Sequence, residues 1–114
     1  MCKSEQTKAY DEGRLLRMAG LAVKAGKMIF GTPMVCDAMR AGKTVKLVIE
    51  AGNTSENTHK RITDKCAYYG VPHIRVESDT EAFARLLGKS GDLAVAAVTD
   101  TNFSNAILSI FSQP

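Results

Sequence analysis

Two runs in this chain of 114 residues are apolar at every position, and they limit its fold more than any other feature. One is Leu47-Val48-Ile49, and the other is the run 93–98, LAVAAV. Side chains alternate between the two faces of a β-sheet, so a strand that is apolar on consecutive residues must be covered on both faces. The two runs therefore predict internal strands of a sheet that lies between two layers of helices.

Helical and strand patterns alternate along the whole chain. Segments with apolar residues at i, i+3 and i+4 predict five helices, and short apolar or alternating segments predict four strands. The expected helices lie at about 11–25, 33–41, 55–69 and 78–87 and from 101 or 102 onward; the expected strands lie at 28–30, 45–50, 73–76 and 93–98. This order predicts the α/β class, with a three-layer α/β/α sandwich of five helices and a four-stranded, mostly parallel or mixed sheet. We expect residues 1–9 to be a flexible N-terminal lead-in and residues 10–114 to form a single domain.

Residue types at the expected helix ends predict several boundaries. Thr32 is a suitable N-cap, and Pro33 fits the first helical position, where no N–H is needed. Ser55 is expected to cap the third helix. Ser78 begins a capping-box pattern before a fourth helix whose apolar side chains, Leu86 among them, are expected to be buried.

Composition excludes several classes of protein. The apolar content of 45% and the charged content of 24% are ordinary for a globular protein. No apolar run approaches the length that spans a membrane, and residues 1–6 lack the features of a signal peptide. The three cysteines are far apart in the sequence and are interpreted as reduced thiols of a cytoplasmic protein. With only His59 and His73 beside them, we expect no structural zinc site.

Sites for catalysis are weakly indicated. Gly88-Lys89-Ser90 resembles the end of a phosphate-binding loop, but Phe83 stands where the first glycine of that motif belongs. Cys66 lies on the apolar stripe of its helix, so we interpret it as a packed thiol rather than a nucleophile. His59 is interpreted as a solvated surface histidine. We therefore expect that the protein is not an enzyme and that it binds no cofactor.

Positive charge is concentrated in the first part of the chain. Residues 1–70 hold 12 Lys and Arg against 7 Asp and Glu, a net charge of +5, whereas residues 71–114 hold 3 against 5, a net charge of −2. This asymmetry is compatible with an ordinary solvated surface, and it is also typical of a basic face that binds a polyanion. Charge alone does not decide between the two.

The second helix supplies the more specific indication. A helix beginning at Gly31-Thr32-Pro33 presents free N–H groups and the positive end of its dipole, both of which favour an anion. Lys27, Arg40, Lys43 and Lys46 flank this helix. We therefore expect the backbone amides of Gly31 and Thr32 to bind phosphate or base acceptors, with the neighbouring cations neutralising phosphates.

Four motifs together carry a resemblance to a known family: LLRMAGLAVKAGKMIFG at 15–31, AMRAGKTVKLVIEAGNTSENT at 38–58, DKCAYYGVPHI at 64–74 and LAVAAVTD at 93–100. The chain resembles the large-subunit ribosomal protein seven-Ae/thirty-e (L7Ae/L30e) family, whose members bind kink-turn RNA, and most of all its small bacterial YlxQ-type branch. The resemblance extends from about 15 to 111. It implies an α/β/α sandwich that holds RNA at the start of the second helix, with help from the loop before the last strand.

The resemblance also implies which residues contact RNA. Carried over by position, the implied contacts fall in three groups. The turn into the second helix contributes Lys27, Gly31, Thr32, Pro33 and Met34, and the end of that helix contributes the basic residues Arg40 and Lys43. The loop before the last strand contributes Gly88, Lys89, Ser90 and Gly91. Three positions depart from the kink-turn pattern. Pro33 and Met34 replace Asn-Glu, and Asp37 replaces a lysine, so polar groups that read the sheared purine pairs are absent.

These observations lead to one expected function and one alternative. We expect a cytoplasmic, monomeric RNA-binding protein without catalytic activity, whose partner is a structured RNA such as a kink-turn or ribosomal RNA, and we expect no membrane partner. The ribosome is a candidate partner. The alternative is a protein-interaction module on the same fold that has lost kink-turn recognition, because an exposed methionine at position 34 suits an adaptable apolar contact. An enzyme acting on a small anion or nucleotide is a third and weaker hypothesis.

Overall fold

A computed structural model describes residues 10–42 and 44–112. The expected lead-in at 1–9 and the side chain of Lys43 lie outside these residues. The helices are α1 (Glu12–Lys24), α2 (Thr32–Arg40), α3 (Glu56–Tyr69), α4 (Thr80–Leu86) and α5 (Thr101–Ser112). The strands are β1 (Met28–Phe30), β2 (Leu47–Glu50), β3 (His73–Arg75) and β4 (Val95–Val98). The predicted alternation of five helices and four strands is confirmed.

The sheet is mixed, with the strand order β1-β4-β2-β3. One row across it consists of Ile29, Ala97, Val48 and His73. β4 runs antiparallel to both β1 and β2, whereas β2 and β3 are parallel. Three strands thus point the same way, but only one of the three strand pairs is parallel. The mixed sheet of the prediction is confirmed, and a mostly parallel pairing is wrong because β4 inserts between β1 and β2.

Two apolar clusters, one on each face of the sheet, account for the three layers. On one face, α2 and α3 pack through Val35, Met39, Ile62 and Cys66 against strand residues that include Val48. On the other face, α1, α4 and α5 cover the strands with a larger cluster: Leu15, Leu16, Ala19, Phe83, Leu87, Ile107 and Ile110. All four residues of β2 and all four of β4 are buried. The apolar runs predict this burial for every residue except Glu50. None of the helices within the described residues is long and apolar enough to cross a bilayer.

Helix boundaries follow the sequence with several corrections. Ser55 caps α3 as predicted, and its side chain accepts a hydrogen bond from the amide of Thr58. α4 is capped by Asp79, and not by Ser78. Leu86, expected in the core, is 52% exposed, because α4 is short and its last turn lies at the surface.

The hydroxyl of Ser78 instead donates a hydrogen bond that links the loop before α4 to α1. The Glu12 carboxylate accepts hydrogen bonds from the Ser78 hydroxyl and from the amides of Glu77 and Ser78, the latter two at 2.8 Å. Tyr10 also donates to Glu12. Burial opposes ionisation of this group, but the hydrogen bonds outweigh it and hold the pKa of Glu12 below its usual value. Glu12 therefore joins segments that are far apart in the sequence.

Another carboxylate with several hydrogen-bond donors belongs to Glu50, the last residue of β2, which is fully buried. It accepts hydrogen bonds from Thr54, His59 and His73. Burial raises the pKa of Glu50, but these hydrogen bonds lower it more, so that it lies below the usual value. His59 is therefore not the solvated surface histidine that was expected: its ring binds a buried carboxylate.

Candidate functional site

The junction between β1 and α2 is a single glycine. Gly31 is the N-cap of α2, with φ +94° and ψ 143°, and no side chain caps the helix. Residues with a Cβ rarely adopt this φ, which explains the glycine between Phe30 and Thr32. The predicted N-cap at Thr32 is wrong by one residue: α2 begins at Thr32, and Pro33 is its second residue. Pro33 is tolerated there because it still lies in the first turn.

Only part of the expected set of free amides is available at this helix start. The N–H of Gly31 donates to the carbonyl of Val95 at 2.9 Å, so it cannot bind a ligand as predicted. Pro33 has no N–H. Within the described residues, the amides of Thr32 and Met34 have no hydrogen-bond acceptor. These two amides, together with the helix dipole, form the anion-binding part of the site.

The loop 88–91 lies beside the start of α2, although the two segments are far apart in the sequence. The ammonium of Lys89 sits 4.1 Å from the ring centroid of Phe30, the residue before Gly31. The hydrogen bond from Gly31 to Val95 holds the start of α2 next to the first residue of β4, the strand that this loop leads into. All four residues of the loop are exposed. Two segments that the sequence predicted as RNA contacts are therefore brought together.

The outer face of α2 carries the residues that depart from the kink-turn pattern. Pro33, Met34 and Asp37 are all exposed, and Met34 is 59% exposed. Positions 33 and 37 are four residues apart and 34 and 37 three, so the three share one side of the helix. The Asp37 carboxylate accepts a 2.7 Å hydrogen bond from Arg40, with both side chains exposed. The charge of Arg40 is therefore partly neutralised within the chain.

Other predicted basic contacts lie at the opposite end of the sheet. Lys27 precedes β1, and its carbonyl accepts a hydrogen bond from Thr99, just after β4. Lys46 donates to Val98 at the same end of β4. Four residues of extended chain separate Lys27 from Gly31, about 13 Å. α2 spans nine residues, also about 13 Å, and returns the chain to this end, so Arg40 lies there too. The structure thus separates Lys27 and Arg40 from the start of α2.

Sequence reasoning missed Phe30 as a site residue. Its ring contacts Lys89 at the end of β1 that leads into α2, but 59 positions separate Phe30 from Lys89, and no local pattern predicts such a contact. The one indirect signal was the resemblance, which assigned both segments to the same surface.

Comparison with known proteins identifies the same family that the sequence motifs resemble. The sequence model of the ribosomal protein L7Ae/L30e/S12e/Gadd45 family matches residues 14–108. The chain is 40% identical over 93 residues to the RNA-binding protein YlxQ of Bacillus subtilis, covering 82% of this chain and 90% of that protein. It is 34% identical over 91 residues to the RNA-binding protein YlxQ of Enterococcus faecium, covering 80% of this chain and 84% of that protein.

Two solved structures share the fold. One is a protein of unknown function from Bacillus halodurans, with a TM-score of 0.79 and 29% identity, covering 87% of this chain and 97% of that one. The other is the 15.5 kD RNA-binding protein of Giardia lamblia, with a TM-score of 0.72, covering 93% of this chain and 92% of that one. At 18% identity, the second likeness concerns the fold alone.

Proposed function

The chain belongs to the ribosomal protein L7Ae/L30e/S12e/Gadd45 family, within which it is similar to the YlxQ proteins, and on that premise we propose that it binds structured RNA through the start of α2 and the adjoining loop 88–91. The observation that carries the proposal is the contact of Lys89 with Phe30, 4.1 Å from the ring centroid. This contact joins a cationic loop to a helix start with free amides, and the combination suits a phosphate backbone.

Each part of this surface has a separate chemical role. The amides of Thr32 and Met34 would donate hydrogen bonds to phosphate or base oxygens. Lys89 would neutralise a phosphate, because its ammonium keeps N–H donors while it lies over the ring of Phe30. The small residues of the loop, Ser90 and Gly91, let an RNA backbone come close. The proposed activity is binding and not catalysis, by a monomer in the cytoplasm and without a cofactor.

Lys27 and Arg40 have a smaller role in this proposal than the sequence suggested. The backbones of Lys27 and Gly31 are about 13 Å apart, so a phosphate held by the amides at the start of α2 lies out of hydrogen-bond reach of Lys27. Arg40 is also paired with Asp37. These residues would act on an RNA large enough to reach both ends of the sheet, such as a ribosomal RNA, and they would add little to the binding of a short kink-turn.

A second candidate function is a protein-interaction surface on the same face. The observation that favours it is the 59% exposure of Met34, next to Pro33, where polar readout of bases would require hydrogen-bonding groups. An exposed methionine adapts to apolar partners. Under this alternative, binding of structured RNA would be weak and without preference for any RNA fold.

Salt dependence measures the proposed phosphate contacts directly. We expect affinity for a short structured RNA to fall steeply as salt rises, because phosphate contacts release counterions. Replacing Lys89 with Ala should weaken binding and lower the log–log salt slope by about 0.7–0.9, the value for one lost phosphate contact. The measurement is a titration followed by fluorescence anisotropy at several salt concentrations.

Lys27→Ala is the matched control, since it removes one exposed positive charge at the far end of β1. We expect its slope to stay close to that of the unchanged protein. Equal losses in the two variants would contradict the proposed location, and binding that is insensitive to salt would contradict RNA binding through phosphates.

A further inference from the structure

We propose that Glu50, His59 and His73 form a binding site for a divalent transition-metal ion, for which zinc is the best fit. The site shares no residue with the proposed RNA surface, although both lie at the same end of the sheet: Glu50 pairs with Val95, whose carbonyl accepts the N–H of Gly31. One ligand atom from each residue lies within 4.8 Å of the other two. Sequence reasoning expected no zinc site because only two histidines were available. The third ligand is a buried carboxylate at the end of an apolar strand, which no spacing rule reveals.

Three different elements supply the three side chains. Glu50 ends β2, His59 lies in the first turns of α3, and His73 begins β3, the strand paired with β2. The Glu50 oxygen Oε1 lies 2.8 Å from His73 Nε2 and 2.9 Å from His59 Nδ1. Both rings thus point one nitrogen at the same oxygen. Such convergence from three backbone segments positions the donors before any ion arrives.

The donor set selects the kind of metal. Two imidazole nitrogens and one carboxylate oxygen match three-ligand zinc sites, which keep an open position for water, and they also match other borderline divalent ions. Zinc bonds of 2.0–2.2 Å would place neighbouring donors about 3.3 Å apart in a tetrahedral site. The two ring nitrogens would therefore each lie about 0.5 Å farther from Glu50 Oε1. They would also approach each other from their present separation, which is within 4.8 Å. His59 can make most of this movement because its side chain is 40% exposed, whereas His73, at 15% exposed, moves less.

Hydrogen bonds around the carboxylate leave one oxygen for the ion. Thr54 donates to Oε2 and His73 Nε2 lies at Oε1, whereas His59 Nδ1 lies 2.9 Å from Oε1 and 3.0 Å from Oε2. In a neutral imidazole the proton can reside on either nitrogen, so the N–H that now faces Glu50 can shift to the outer nitrogen when a metal binds. The step changes no oxidation state, and it requires no proton release from a neutral ring.

Arg75 limits the affinity of the site. Its Nε lies 3.8 Å from Glu50 Oε2, and its guanidinium also donates a hydrogen bond to Thr54. A positive charge therefore lies beside Oε2, while the metal ion would bind at Oε1. This charge repels a bound cation. The geometry therefore predicts that removing Arg75 strengthens metal binding, an effect opposite to that of removing a ligand.

The test is a calorimetric titration of the full chain, without a polyhistidine tag, with Zn²⁺, and with Co²⁺ followed by visible absorption. The chain has no histidine outside the proposed site, so binding through imidazole can be assigned to His59 and His73. We expect saturable binding of one Zn²⁺ per chain, and loss of affinity of roughly tenfold or more in both His59→Ala and His73→Ala. Arg75→Gln should bind several-fold tighter.

Two controls keep the result interpretable. Cys2→Ser removes a thiol that could compete for zinc, and Asp64→Asn removes an exposed carboxylate from α3; both should leave the affinity unchanged. Circular dichroism establishes that each variant is folded, and His59→Gln is a milder second variant at the exposed position. Absence of saturable binding would overturn the proposal, as would binding that survives both histidine changes, weakens in Cys2→Ser, or fails to strengthen in Arg75→Gln.

Discussion

The triple variant Pro33→Asn, Met34→Glu and Asp37→Lys should bind kink-turn RNA at least about tenfold more tightly than the unchanged protein, because polar pairs to base edges are worth about 1–3 kcal/mol each in nucleic-acid readout. All three positions lie on one exposed side of α2, so the new side chains would face the same ligand. Titration of both proteins with a kink-turn RNA at one fixed salt concentration gives the comparison.

Each of the three changes acts through a different physical effect. Asn at position 33 restores a backbone N–H in the first turn, next to the free amides of Thr32 and Met34. Glu at position 34 supplies carboxylate acceptors for base amino groups, where methionine has none. Lys at position 37 replaces a charge that repels phosphate, and it releases Arg40 from its 2.7 Å ion pair.

Asp64→Lys is the matched control for charge. Asp64 is exposed on α3 and pairs with Lys60, as Asp37 pairs with Arg40 on α2, so Asp64→Lys makes the same substitution at another surface. It raises net charge by two units, one more than the triple variant, in which Met34→Glu adds a negative charge. We expect Asp64→Lys to raise affinity for kink-turn RNA and plain duplex alike, and only slightly. If it matches the triple variant, the gain is electrostatic and base readout is absent. If the unchanged protein already prefers kinked RNA and the triple variant gains nothing, the loop and backbone carry recognition.

Gly52→Ala should reduce the free energy of unfolding by about 1–3 kcal/mol, the usual cost of forcing an extra methyl group into packed structure. A Cβ at position 52 would lie 2.7 Å from the carbonyl oxygens of both Val76 and Glu77. Those atoms are backbone and cannot move aside alone, and the amide of Gly52 is bound to Ser78 at 2.8 Å. Urea unfolding followed by circular dichroism gives the free energy.

Gly13→Ala is the control, because it makes the same substitution where space exists. Gly13 lies in α1, and a Cβ there would meet its nearest side-chain atoms at 3.5 Å, an ordinary contact. Alanine favours a helix over glycine by about 0.5–1 kcal/mol, so this variant should be more stable than the unchanged protein. Similar effects of the two substitutions would mean that the loop at Gly52 relaxes freely.

The elements that sequence predicted well are those with local signals. β1 begins and ends at the predicted residues, and α3 runs from its Ser55 cap to Tyr69 before the left-handed Gly70. Consecutive apolar residues correctly indicated that β2 and β4 are covered on both faces. In each case the information lies within a few residues of the feature, in a cap, a glycine or an apolar pattern.

The features that sequence did not predict depend on contacts between distant segments. Nothing in the run 93–98 indicates that β4 would pair with both β1 and β2, because pairing depends on the packing of the whole sheet. The same holds for Ser78, whose hydroxyl binds Glu12 of α1 instead of capping α4. It holds also for Glu50, which reads as the polar end of a strand and yet is fully buried among polar partners.

The candidate site also contains parts that sequence predicted and parts that it did not. Sequence located the turn at Gly31 and the loop 88–91 separately, and the contact between Lys89 and Phe30 that joins them required the structure. Lys27 appeared close to Gly31 because four positions separate them in sequence. In a strand those four positions span about 13 Å, from one end of the sheet to the other.

Backbone amide exchange with and without kink-turn RNA tests the proposed surface most directly. In the free protein the amides of Thr32, Met34, Ser90 and Gly91 should exchange rapidly, since they are exposed or without an acceptor within the described residues. Saturating RNA should slow exchange at these four positions, while Thr44, in the exposed segment beyond the other end of α2, should keep its rate. Protection at Thr44 with unchanged exchange at Thr32, Met34, Ser90 and Gly91 would contradict RNA binding through the start of α2 and the loop 88–91.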